Sequence, residues 1–343
     1  MAIPAADGFR LPAPWAPHLR CWMAWPAREE SWGEDREAAR EAYAEIAGAI
    51  ARFEPVTFIA KPKSVAEVSI ATGENVSTFS LQHDDAILGH NGPVFVVDRD
   101  GTVAGVDWQW NAWGGRYIDH ERDAAVAALI LEHLKMRRYE PPLVLDGGAI
   151  VGDGEGTLIA SERVILDPAR NVGLTRSDVE IVLRDYLGIE KVIWLPDGLA
   201  WHGGPGHVET VACFAKPGLV LALGSSDSAD PNFALLQENL AQLRAAHDAA
   251  GRTLEVVEIE QPRARAGHDG NRLPLSYVSL YVANGGVVMP AFEDPQDKRA
   301  YEAVSRAFAG REVTQVPAGD IADGGSGLHA ITLAQPDGPP AAP

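Results

Sequence analysis

Cysteine is nearly absent: Cys21 and Cys213 are the only thiols among 343 residues. Two such residues make neither a disulfide framework nor a zinc cluster, and they fit a reducing, cytoplasmic setting. Basic residues are also scarce, since 29 Lys+Arg against 48 Asp+Glu give a formal net charge of −19. Recognition of nucleic acid needs clustered Lys and Arg, so that class of partner is excluded. Long apolar runs are missing too. The longest, such as Leu219 to Leu223, fall far short of the roughly 20 residues that cross a bilayer, which excludes a membrane span. Met1 to Pro12 lacks the basic start and apolar core of a signal peptide. What remains is an ordinary globular composition, 46% apolar and 22% charged. It suits a small-molecule substrate and is compatible with a homo-oligomer.

No linker-like stretch divides the interior, so residues 1–336 read as one domain and 337–343 as a frayed Pro-rich tail. Glu34 to Phe53 carries Ala39, Tyr43, Ile46, Ile50 and Phe53 at steps of three and four, one buried helical stripe. Asp119 is placed to cap a helix running to about Met136. Thr175 with Asp178 forms a capping box, and Gly188 ends that helix. Asp230-Pro231 and Asp294-Pro295 put a capping side chain before a first-turn proline, with Gly251 and Gly310 as stops. Between these lie β-rich runs, among them Pro55–Ala60, Leu143–Leu145, Lys191–Leu195, Leu219–Leu223, Tyr277–Val282 and Val313–Val316. The helix starts near 119, 175, 231 and 295, with a short helical pattern at Lys63 before them, recur at 56 to 64 residues. That spacing predicts an α/β fold of ββαβ-type units repeated around an axis.

Several segments are distinctive. They are Trp15-Ala-Pro-His-Leu-Arg-Cys-Trp-Met-Ala-Trp-Pro26, Asp107-Trp-Gln-Trp-Asn-Ala-Trp-Gly-Gly-Arg-Tyr117, Leu145-Asp-Gly-Gly148, Val192-Ile-Trp-Leu-Pro196, Gly206-His-Val-Glu209, Tyr281-Val-Ala-Asn-Gly-Gly286 and Gly324-Gly-Ser-Gly-Leu-His-Ala330. In this order, from about Leu11 to Pro336, the chain resembles the agmatine deiminase and bacterial peptidyl-arginine deiminase family. The resemblance implies the pentein fold, a five-bladed α/β propeller with pseudo-fivefold symmetry and an active site on its axis. It also implies hydrolase chemistry on a C–N bond: a cysteine thiolate attacks a guanidinium carbon, a histidine moves protons, and carboxylates hold the cation. Such chemistry is physically sensible, because a delocalised guanidinium is a poor electrophile that needs a strong nucleophile and flanking negative charge.

Against that pattern the site positions of this chain differ. Ala330 stands where the family's Gly-Gly-Gly-Asn-Ile-His-Cys motif ends in its nucleophile. His90, in Gly89-His90-Asn91-Gly92-Pro93, occupies a carboxylate position. Asp146 replaces a Glu, Glu209 replaces an Asp, and Trp201-His202-Gly203-Gly204-Pro205 replaces an acidic loop. A cationic substrate would lose partners that its desolvation requires.

The resemblance therefore implies an enzyme with a divergent, thiol-free site. His207 is the candidate general acid/base, with Asp146 or Glu209 orienting it, and the substrate is a small nitrogen-containing molecule. His90, Trp108, Trp113, His202 and Ala330 are candidate substrate contacts. No cofactor is required, although His90, His202 and His207 are residue types that suit a first-row metal. Two alternatives stand beside this reading: an agmatine deiminase, turning agmatine into N-carbamoylputrescine and ammonia, whose nucleophile has been replaced by Ala330, and a non-catalytic small-molecule binder. Trp108, Trp110 and Trp113 could stack on a ligand, but aromatic residues at such spacing more often fill a core. The paired glycines at 147–148, 285–286 and 324–325 read as tight turns, since none has phosphate-loop spacing.

Overall fold

The computed structural model describes residues 2–32, 36–200, 206–267, 270–325 and 327–343. Five small sheets share one plan: two antiparallel strands, a crossover helix, and a third strand parallel to the second. Strands β4 (Val94–Val97), β5 (Val103–Val106) and β6 (Arg138–Tyr139) form one unit, with the helix Val126–His133 in its crossover. The next has β7 (Ile150–Gly152), β8 (Thr157–Ser161) and β9 (Lys191–Leu195), crossed by Arg176–Leu187. Then come β10 (Ala212–Lys216), β11 (Leu219–Gly224) and β12 (Glu255–Glu260), crossed by Phe233–Ala245. The fourth has β13 (Tyr281–Ala283), β14 (Gly286–Ala291) and β15 (Glu312–Pro317), crossed by Asp297–Ala307.

The fifth unit joins the two ends of the chain. β16 (Thr332–Pro336) pairs antiparallel with β1 (His18–Ala24), the helix Arg36–Ala51 crosses over, and β2 (Val56–Ala60) follows in parallel. This corrects the spacing argument at one point. The helical pattern at Lys63 is a 3-10 turn, Pro62–Ser64, and a short helix, Val65–Ala71, that lead into an additional edge strand, β3 (Val76–Ser80). The repeat's own helix here is Arg36–Ala51, whose Ala39, Tyr43, Ile46 and Ile50 are buried as the stripe required. The pattern at Lys63 misled because both segments precede parallel strands of the same sheet.

Local signals set the Thr175 helix, whereas the helices after Asp230 and Asp294 begin at Phe233 and Asp297 and end at Ala245 and Ala307, short of Gly251 and Gly310. Thr175 and Asp178 form a reciprocal capping box, and Gly188 takes the left-handed C-cap conformation at φ 66°. Asp230 and Asp294 each accept a hydrogen bond from the backbone N–H two residues on, at 2.8 and 2.9 Å, steering the chain into the helices that follow. Leu143–Leu145 forms only an isolated bridge, Gln109 to Val144. Of Tyr277–Val282, only the end from Tyr281 is strand; Tyr277 instead donates its hydroxyl to Asp297 at 2.6 Å.

The tail is not frayed. Val103 N–H donates to Pro339 C=O, Ala341 N–H donates to Val103 C=O, and Arg137 N–H donates to Ala341 C=O, so residues 339–341 lie against β5. Prolines at 339 and 340 lack N–H groups but keep the acceptors this edge uses. The central strands β8, β11 and β2 are buried along their whole length. That burial on both faces fits the continuous apolar run of β11, Leu219–Leu223.

Candidate functional site

A short helical turn precedes the first strand of four of the five units. Leu88–Asn91 leads into β4, Gly147–Ala149 into β7, Val208–Thr210 into β10 and Leu328–Ile331 into β16. These turns touch one another. Each carries or directly follows a residue singled out in the sequence: His90, Asp146, His207 with Glu209, and His329 with Ala330. Repetition of the unit thus brings together residues far apart in the chain.

Close approach of the turns depends on glycine. A Cβ on Gly147 would lie 2.0 Å from the carbonyl oxygen of Gly89, and one on Gly148 would lie 2.4 Å from His90 Nε2. Gly147 and Gly148 are therefore packing positions, where any side chain would displace the site, rather than the tight turns the sequence suggested. Gly285 and Gly325, at φ 77° and 79°, are turn glycines as expected.

Two histidine–carboxylate pairs stand side by side. His207 Nε2 lies 3.1 Å from Asp146 Oδ2, His90 Nε2 lies 3.1 Å from Glu209 Oε1, and the two rings are 4.3 Å apart. Trp113 donates its indole N–H to His90 Nδ1 at 3.0 Å. Nδ1 is thereby an acceptor, so the ring proton sits on Nε2 and is donated to Glu209. Both nitrogens of His90 are engaged, which leaves it no lone pair for a metal. Among the described residues no group of three His, Cys, Asp or Glu side chains is placed to hold an ion, and His202 lies outside the described residues.

Asp146 is fully buried and clamped by Arg170, whose Nε and Nη2 donate to Oδ2 at 3.0 and 2.8 Å. Burial by itself would raise this carboxyl, but the hydrogen bond from His207 and the charge of Arg170 hold it well below the usual range. For Glu209, likewise, burial is outweighed by the field and hydrogen bond of His90, which bring it to about 2. His207 is shifted down, chiefly by burial and then by His90, against the pull of Asp146 and Glu209. A neutral His207 that donates Nε2–H to Asp146 keeps the lone pair of Nδ1, and the described residues give that atom no partner.

A cavity opens beside these groups. His90, Trp113, His207 and Glu209 line it together with Ser276, Ser279 and Phe292. Glu209 Oε2 and Ser279 Oγ are buried atoms without a hydrogen-bond partner among the described residues. His329 comes to 3.8 Å from Glu209 Oε2 but lines a different cavity.

Two expected contacts are not brought here. Trp108 is buried in the core beside Tyr186, at 6.1 Å between rings, because Asp107 turns outward to Arg138 and alternation sends the indole inward. Ala330 is buried and outside the cavity lining; its carbonyl lies against Gly89. Neither thiol joins the site. Burial pushes Cys213 up to about 12 and Cys21 higher still, so both stay protonated. Arg170 and Ser279 were not apparent from the sequence. Arg170 is one Arg among many in a loop, with its partner 24 residues away. Ser279 shows only as a serine in a segment that looks like strand.

Comparison with known proteins gives the family and the fold. A family model described as Porphyromonas-type peptidyl-arginine deiminase matches residues 10–336. A Pseudomonas aeruginosa protein named agmatine deiminase is 40% identical over 362 residues, covering 98% of this chain and 97% of its own. One from Stutzerimonas stutzeri with the same name is 40% identical over 358 residues, covering 98% and 97%. The solved agmatine deiminase of Enterococcus faecalis superposes with a TM-score of 0.95 at 30% identity, covering 98% of each chain. The five ββαβ units are those of the pentein fold.

Proposed function

The chain belongs to the Porphyromonas-type peptidyl-arginine deiminase family, enzymes that act on C–N bonds, and from that premise we propose a hydrolase that uses water in place of a cysteine. His207 Nδ1 takes a proton from water, the water oxygen bonds to a carbon bearing nitrogen, and the C–N bond of that carbon breaks. The proton held by His207 passes to the departing nitrogen, which leaves as ammonia or an amine. Asp146 fixes the ring and stabilises the imidazolium formed in transit, as the carboxylate of a Ser-His-Asp site does. Trp113 and His90 keep Glu209 in place.

The observation that carries this reading is the chain Arg170–Asp146–His207, with the third group left neutral and its second nitrogen open. Substrate class follows from what is already compensated. Arg170 neutralises Asp146, so a cation would find only Glu209 unmatched by a fixed charge. Glu209 Oε2 and Ser279 Oγ call instead for N–H donors, as on an amide, a ureido group or a weakly basic amidine. Relatives named agmatine deiminase support a substrate related to guanidino compounds; this site favours a less cationic relative of them.

Ammonium release from a panel of amides, ureido compounds, amidines and guanidines tests the reading. The expected result is turnover of at least one neutral or weakly basic member that His207→Gln abolishes and that Cys21→Ala and Cys213→Ala leave intact. Loss of turnover with either thiol variant, from folded protein, would overturn it.

A further inference from the structure

Gly89 and Gly147, which belong to the turns that form the site, also line a second cavity of about 190 Å³. Its walls are mainly apolar, with Leu11, Pro14, Phe95, Ile150, Phe214 and Leu333. Two imidazoles, His18 and His329, line it as well, and each has a carboxylate beside it.

Glu54 is buried and accepts three hydrogen bonds: from Tyr281 Oη at 2.6 Å, from Asn284 N–H at 2.8 Å and from His18 Nδ1 at 3.2 Å. Nδ1 of His18 therefore carries the proton, and Nε2, to which the described residues give no partner, is a lone pair. His329 has 37% of its side chain exposed and lies 3.8 Å from Glu209. Among the described residues no Lys or Arg lines this space. Cys213 does, but as a neutral thiol. The cavity is thus apolar in body, negative in field and supplied with an imidazole acceptor.

We propose that this second cavity binds a small primary amine with an apolar body. Its ammonium donates to His18 Nε2 in the field of Glu54 and Glu209, and its hydrocarbon part replaces water against the apolar walls. Size sets the scale: an apolar cavity of about 150 Å³ takes benzene, so this one suits about eight to ten non-hydrogen atoms. The inference goes beyond the reaction proposed above and does not depend on it.

Calorimetric titration of the full chain with phenethylamine, 2-phenylethanol and phenylacetate tests it. The expected order is phenethylamine at least about tenfold tighter than the alcohol, with no heat from the carboxylate. Ala16→Phe places a ring where Ala16 lines the cavity and should remove amine binding; Pro14→Phe does the same from a neighbouring position should the first variant misfold. Equal binding of phenethylamine by wild type and a folded filled variant would overturn the proposal. So would tighter binding of phenylacetate, or no heat from phenethylamine at about 10 mM.

Discussion

Trp113 donates its indole N–H to His90 Nδ1 at 3.0 Å, from a backbone held in the left-handed region at φ 55°. Ala112 before it is left-handed too, and Asn111 secures the turn by accepting from Gly114 N–H. A non-glycine residue in this region costs of order 1 kcal/mol, so the loop spends stability to aim one N–H. The consequence is a fixed tautomer for His90 and a directed hydrogen bond to Glu209.

Trp113→Phe keeps the ring and removes the donor. The expected outcome is a loss of about 1–3 kcal/mol, the usual consequence of leaving a buried polar atom unpaired. Glu209 still accepts from Nε2–H, so the tautomer is expected to stay while Nδ1 loses its hydrogen bond. Urea unfolding and the nitrogen chemical shift of His90 Nδ1 check this. An unchanged midpoint together with an unchanged Nδ1 shift would contradict the role assigned to Trp113.

Arg170→Met leaves the buried Asp146 charge without its guanidinium partner. Breaking a buried ion pair from one side costs about 3–5 kcal/mol, and urea unfolding should show a loss of that size. Arg170→Met with Asp146→Asn removes both charges and should recover a large part of it. Additive losses in the double variant would show that the two residues do not act together.

Acid should unfold the protein through the site carboxylates. Glu209 titrates near 2 in the folded chain against 4.5 for the free group, and Asp146 is lowered as well. Between those limits the unfolded chain binds more protons than the folded one, so stability rises with pH. The contribution is complete above about pH 4.5 and is lost as pH falls toward 2. His207 and His329, also lowered, add loss in the same direction below about pH 6.5, where unfolded histidines gain their proton. Asp85, raised to about 7 by burial and by Asp123, opposes them between about pH 4 and 7. The urea midpoint should therefore fall most steeply below pH 4.5, and Glu209→Gln should flatten that limb. An unchanged limb in the variant would show that Glu209 is not held down.

Much of this was legible in the sequence, for identifiable reasons. His207, Glu209 and Asp146 sit in short glycine-bearing motifs whose order marks the family, and the Thr175 box and the Arg36–Ala51 stripe are local patterns. Residues defined by distant partners were not legible. Arg170 matters because Asp146 lies opposite it after folding, and Trp108 and Trp113, in one motif, part ways: one into the core, the other to His90. The tail escaped notice because its pairing to β5 uses backbone groups that composition does not report.

The central claim is that a water-using site has replaced a thiol site built for cations. It is tested most directly by calorimetric titration of agmatine into the Ala16→Phe protein, in which the second cavity is filled. With Asp146 committed to Arg170 and only Glu209 unmatched by a fixed charge, the account predicts no detectable heat at millimolar agmatine. Micromolar binding would contradict it. Ammonia release on adding Ala330→Cys to such a protein would then identify an agmatine deiminase that lacks only its nucleophile.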